Sequence, residues 1–138
     1  MFWLALAALL CATVTDVRRR EIPHWIPILL CVAAVLAKLA GWHPVSWTGI
    51  LAGALTAFFV GALLFRLQVL GGGDVKLFAG LGAVLGIGAL VPFVLATSIC
   101  GGIYALFAMR RGETEIAYAP VMLAGLLSLV PLLWIGNP

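Results

Sequence analysis

Apolar residues run along this chain in long unbroken stretches, without the alternation of a half-buried strand or the polar face of a soluble helix. Stretches of that kind read as helices solvated by lipid, where about 20 residues of helix cross a hydrocarbon layer of about 30 Å. Divided at its polar and Gly/Pro breaks, the sequence predicts helices over residues 2–16, 23–41, 48–66, 75–87, 89–109 and 116–135. The boundary between the fourth and fifth is argued from length. No charged residue lies between Lys76 and Arg110, and one straight helix there would be about 50 Å long at about 1.5 Å per residue. That exceeds a single crossing, and Gly86, Gly88 and Pro92 offer a place to turn. The expected fold is an all-α integral membrane protein of six transmembrane helices. A single domain over residues 1–138 is expected, because no linker, repeat or polar appendix interrupts the pattern.

Composition supports lipid as the solvent: 64% of residues are hydrophobic and 9% charged, against about a quarter charged in soluble domains. The opening MFWLALAALLCATVT lacks the basic start of a signal peptide, so it is read as a retained first span. Cys11, Cys31 and Cys100 stand alone in apolar runs and behave as small hydrophobes. No metal, cofactor or nucleic acid is predicted. Trp3, Trp25, Trp42, Trp47 and Trp134 fall near span ends, where interfacial anchors belong.

The charges then orient the chain. Arg18, Arg19 and Arg20 follow the first span, Arg66 and Lys76 flank the link after the third, and Arg110 and Arg111 follow the fifth. Only Lys38 lies on the other side, at a helix end from which it can snorkel. The positive-inside rule therefore predicts cytoplasmic links after spans one, three and five, with both termini on the non-cytoplasmic side. The five acids, Asp16, Glu21, Asp74, Glu113 and Glu115, share the cytoplasmic face.

Two of those acids carry the candidate chemistry. Asp16 ends an apolar run too short to span, so the first helix is expected to continue through it. Asp74 follows Gly71, Gly72 and Gly73 and opens the short fourth span. Each has a plain alternative: Asp74 as the N-cap of its helix, Asp16 as an interfacial partner of the neighbouring arginines. Asp16 fits its alternative poorly, since a negative charge opposes the dipole at a helix C-terminus. Ionisable groups at membrane depth are functional candidates. Two carboxylates brought close resist joint ionisation and hold one proton between them. The ionised member can take a proton from water while the protonated one bonds the oxygen under attack. That is sufficient to hydrolyse a peptide without metal or covalent intermediate. The glycines are expected to form a loop that lets an extended peptide approach and to use positive φ.

The chain resembles the type IV prepilin peptidases. Asp16-Val17-Arg18-Arg19-Arg20-Glu21-Ile22-Pro23 is similar to their first aspartate motif, with its Asp followed six and seven residues on by an apolar residue and Pro. Gly71-Gly72-Gly73-Asp74-Val75-Lys76-Leu77 resembles the second, GxGD followed by Lys, and Tyr118-Ala119-Pro120 resembles a Tyr-x-Pro segment opening the last helix. The resemblance implies an intramembrane aspartic endopeptidase with Asp16 and Asp74 as catalytic pair. Its substrates would be prepilins or pseudopilins, cut at the leader near the cytoplasmic face of the inner membrane. Larger members carry a cysteine-paired cytoplasmic insertion and N-methylate the new terminus. With no CxxC and no room for the insertion, peptidase activity without methylation is expected here, as in the short TadV/CpaA-like form serving Flp pili.

Supporting roles are assigned more locally. Pro23 is a helix-start residue, and His24 stands where many members have Asn. Lys76 is two residues from Asp74, so on a helix the two side chains diverge; Lys76 meets lipid phosphate or a substrate acid. His43 is given no function. A competing function is a small polytopic carrier or channel subunit using Asp16 and Asp74 as proton or ion sites. Against it, both acids lie at one face and not at the midplane.

Overall fold

A computed structural model describes residues 2–19, 23–111 and 118–130, and these are helical apart from short connections. The helices are α1 (Phe2–Arg19), α2 (Trp25–Leu39), α3 (Trp47–Arg66), α4 (Gly72–Arg110) and α5 (Ala119–Ser128). α1 does continue through Asp16, three residues beyond the expected limit. Two helices, α3 and α4, are long and apolar enough to cross a membrane. Large apolar side chains such as Leu36, Leu51, Phe59, Leu95, Ile103 and Leu106 are exposed. A soluble protein rarely leaves so much apolar surface bare, whereas lipid accepts it.

The 39 residues of α4 form one continuous stretch, but Gly86 within it has φ 70° and ψ 169°. Phe78 and Phe93 are fifteen residues apart and would be separated by about 22 Å along a straight helix. Their ring centroids are 5.7 Å apart, so the chain doubles back at Gly86 and the two halves of α4 lie together. Backbone of that conformation is open essentially to glycine alone. A Cβ on Gly86 would also come within 2.6 Å of Val45 Cγ1, from the connection between α2 and α3. Gly88 and Pro92, the other residues considered for the turn, lie inside the second half.

Folded in this way, α4 touches every other helix and is the centre of the molecule. Leu77, Leu81, Leu90 and Phe93 of α4 are fully buried with Leu9 of α1, Ile26 and Leu30 of α2, and Met122 and Leu126 of α5. Helices in lipid gain little from burying apolar surface and associate by close packing of small residues. A Cβ on Gly53 of α3 would overlap the carbonyl oxygen of Gly82, and one on Gly82 would overlap that of Gly53. On the α2 side, a Cβ on Gly80 would sit 3.0 Å from the Pro27 oxygen. Gly53, Gly80 and Gly82 are thus sites at which backbones meet.

The ends are closed by local chemistry. Ser46 caps α3, its hydroxyl accepting from the Gly49 N–H at 3.1 Å. At the other end of α3, the Gln68 N–H donates to Phe65 O and the Val69 N–H to Leu64 O. That pattern is a Schellman stop, with Gln68 at φ 59° where glycine is usual. It turns the chain toward α4 within five residues.

Candidate active site

Asp16 lies in the last turn of α1 with 8% of its surface exposed. Its Oδ2 accepts a hydrogen bond of 3.1 Å from the Ala119 N–H, 103 residues away. Ala119 is the first residue of α5, and the first N–H groups of a helix have no partner inside it. The carboxylate that opposes the dipole of its own helix therefore sits at the positive end of another. Tertiary structure supplies this oxygen's partner, and Arg18 is exposed.

Asp74 is equally buried, at 8% exposure. It is the third residue of α4; Gly71 holds the N-cap position in an extended conformation, φ −76° and ψ 158°. Asp74 Oδ2 reaches back to accept from the Gly71 N–H at 3.0 Å. Asp74 is therefore not the N-cap of the alternative reading; it serves the helix start from the third position, and that uses one oxygen. Oδ1 is buried and has no hydrogen-bond partner among the described residues. A buried carboxylate oxygen left in this way is costly and is available to a water or a substrate group.

The glycine segment corrects one expectation. Gly72 and Gly73 form the first turn of α4 and are not an irregular loop. None of the three glycines has positive φ. Their value here is space: a Cβ on Gly71 would lie 3.1 Å from Asp74 Oδ2, crowding the carboxylate. Gly71 and Gly72 are exposed, Gly73 is half-buried, and Lys76 is exposed.

Asp16 and Asp74 are within electrostatic reach of each other, and Tyr118 is within reach of Asp74. The Tyr118 hydroxyl lies over Gly101 in the second half of α4, where a Cβ would come within 3.2 Å of it. α5 packs on both α1 and α4. The structure thus gathers Asp16, Asp74, Gly71 and Tyr118 at one end of the bundle, with Pro120 in the first turn of α5. Pro23 precedes α2, its carbonyl accepting from the Ile26 N–H at 3.2 Å, which is a structural task. Ile22 lies outside the described residues. Ala119 escaped the sequence reading because a backbone N–H has no residue signature; the one hint was Pro120, which marks a helix start.

His43, given no function from the sequence, is buried. It is 2% exposed, its Nδ1 accepting from the Val45 N–H at 3.2 Å. The Lys38 ammonium donates to its carbonyl at 3.3 Å. It belongs to the packing under the Gly86 turn, away from the carboxylates.

The profile of the type IV leader peptidase family matches residues 3–106. Over 126 residues, covering 86% of this chain and 46% of the relative, the chain is 30% identical to a type 4 prepilin-like proteins leader peptide-processing enzyme of Escherichia coli O78:H11. It is 31% identical over 130 residues to a prepilin leader peptidase/N-methyltransferase of Bacillus subtilis, covering 87% of this chain and 50% of that one. It is 28% identical over 143 residues to prepilin peptidase EppA of Methanococcus maripaludis, covering 94% of this chain and 39% of that one. The chain therefore spans half or less of the length of these relatives. No solved structure matches it. The match to the family profile takes in both aspartates and all of α2 and α3, and the chain belongs to the type IV leader peptidase family.

Proposed function

We propose that this protein is an intramembrane aspartic endopeptidase that removes the basic leader of Flp-type prepilins at the cytoplasmic membrane face, without N-methylating the product. One observation carries the reading: two carboxylates from distant parts of the sequence are buried together, and one oxygen of Asp74 is left without a partner. The relatives' names attach leader processing of prepilins to proteins built on similar sequence. Family membership weighs against the carrier reading of the same acids.

The chemistry follows from the pair. One carboxylate, ionised, takes a proton from a water that attacks the scissile carbonyl carbon. The other, protonated, donates a hydrogen bond to the carbonyl oxygen and stabilises the charge developing there. The amine departs with a proton returned by the pair, and both carboxylates are restored. Exposed Gly71 and Gly72 beside Asp74 leave room for an extended substrate backbone. The exposed Lys76 is suited to a lipid phosphate or a substrate acid.

The membrane arrangement proposed is six crossings, the two halves of α4 counting separately, in the inner membrane with both termini outside. Phe78 against Phe93 supports counting α4 twice, and the one-sided arginines support the orientation. Absence of methylation is supported by the three isolated cysteines, none in a CxxC pair.

The test is to incubate membranes containing the protein with tagged precursors of Flp-type and larger type IV pilins, then determine the mature N-terminus by mass spectrometry. Cleavage of the Flp-type precursor behind its leader with an unmodified new amine is expected. An intact Flp-type precursor would refute the substrate assignment, and a methylated amine would refute the restriction to hydrolysis.

A further inference from the structure

Among the described residues, the bond from the Ala119 N–H to Asp16 Oδ2 is the one side-chain hydrogen bond joining distant parts of the chain; all others span five positions or fewer. Both partners are buried, Ala119 completely. The donor is the first N–H of α5, and the next residue, Pro120, has none to offer. Asp16 itself is near the free end of α1, whose own geometry does nothing to fix the carboxylate. We infer that the first turn of α5 is a positioning element for Asp16: the Ala119 N–H fixes one carboxylate oxygen and thereby aims the other toward Asp74. This rests on the reading of Asp16 as a catalytic residue, and adds a third chain segment to the site. Tyr118, packed over Gly101, and Pro120 hold that turn in place. Residues 119–128 lie beyond the region that matches the family profile.

The donor can be deleted chemically. Ala119 occupies the first helical position, where proline is well tolerated because the N–H has no intrahelical role. Ala119→Pro removes the N–H, whereas Ala119→Val adds the same number of carbons and keeps it. Hydrogen bonds to charged groups are strong enough that losing this one should lower kcat by about 10- to 100-fold. KM should stay near the wild-type value, and Ala119→Val should retain clearly more turnover than Ala119→Pro. Equal losses in the two variants would mean that bulk alone matters, and would overturn the inference.

A spectroscopic readout covers the case in which Ala119→Pro fails to fold. Asp16 of α1 accepts from the Ala119 amide; Asp74 of α4 and the adjacent Tyr118 lie on the segments packed against it, and Arg18 of α1 is exposed. In an Asp74→Asn background, Asp16 is the carboxyl group left to report, because phenols titrate far above the carboxylate range. The Ala119 amide proton should move downfield as that acid ionises, and adding Asp16→Asn should abolish the movement. An amide that ignores pH, or that moves equally without Asp16, contradicts the inference. The two readings fail separately. A silent amide with cleavage lost in Asp16→Asn ends the positioning role and spares the peptidase. Normal cleavage in Asp16→Asn ends the reading of Asp16 as a catalytic residue, on which the inference rests.

Discussion

Asp16 shows why a single residue's role depends on what reaches it. On α1 alone its charge is badly placed, yet α5 brings a free N–H to it. That the residue was unusual could be read from sequence, as could its nearness to Asp74. The partner N–H could not, because backbone donors are identical at every non-proline position. The burial of His43 was likewise not legible: Val45, two residues on, packs against the turn at Gly86, and His43 is 2% exposed. Burial pushes the His43 imidazole below its ordinary value, and the nearby Lys38 acts in the same direction. A group whose pKa is lowered by folding binds protons more readily when unfolded. Its contribution is therefore complete above the unfolded value of about 6.5 and is lost as pH falls through it toward the folded value. Thermal unfolding in detergent should show the wild type losing more Tm than His43→Gln between about pH 7.5 and about pH 5, on either side of that value. Parallel losses would show that His43 is not the group responsible.

At the scale of elements, α3 and α4 are joined where neither has a side chain. The Gly53 and Gly82 backbones leave no room for a Cβ, so the helices are held by contact that any substitution destroys. Gly53→Ala should cost about 1–3 kcal/mol, the usual penalty for overpacking. Gly88→Ala, where nothing lies within 4 Å, should change stability little. Urea or thermal unfolding of the two variants makes the comparison, and equal stabilities would show that α3 and α4 separate without penalty. Helix positions were legible because apolar run length sets them, and all five starts fall within three residues of expectation. The turn inside α4 was legible from its length. Its placement at Gly86 rather than Pro92 was not, because it depends on Val45 filling the space a Cβ would take. The start of α4 was misjudged, since three glycines suggest a loop until Asp74 is seen to hold the Gly71 N–H.

Across the whole molecule, the folded-back α4 is a scaffold that carries one aspartate at its start and packs α5, which holds the other, against its far half. The approach of the two carboxylates is thus a consequence of the bundle's closure and not of any local motif. The central claim is that neither aspartate suffices alone. Leader cleavage of a co-expressed Flp-type prepilin should be measured in membranes carrying wild type, Asp16→Asn or Asp74→Asn at matched levels. The account predicts cleavage by the wild type and none above background by either variant. Cleavage near the wild-type rate by either one would show that its aspartate is structural, and the two-carboxylate mechanism would be wrong.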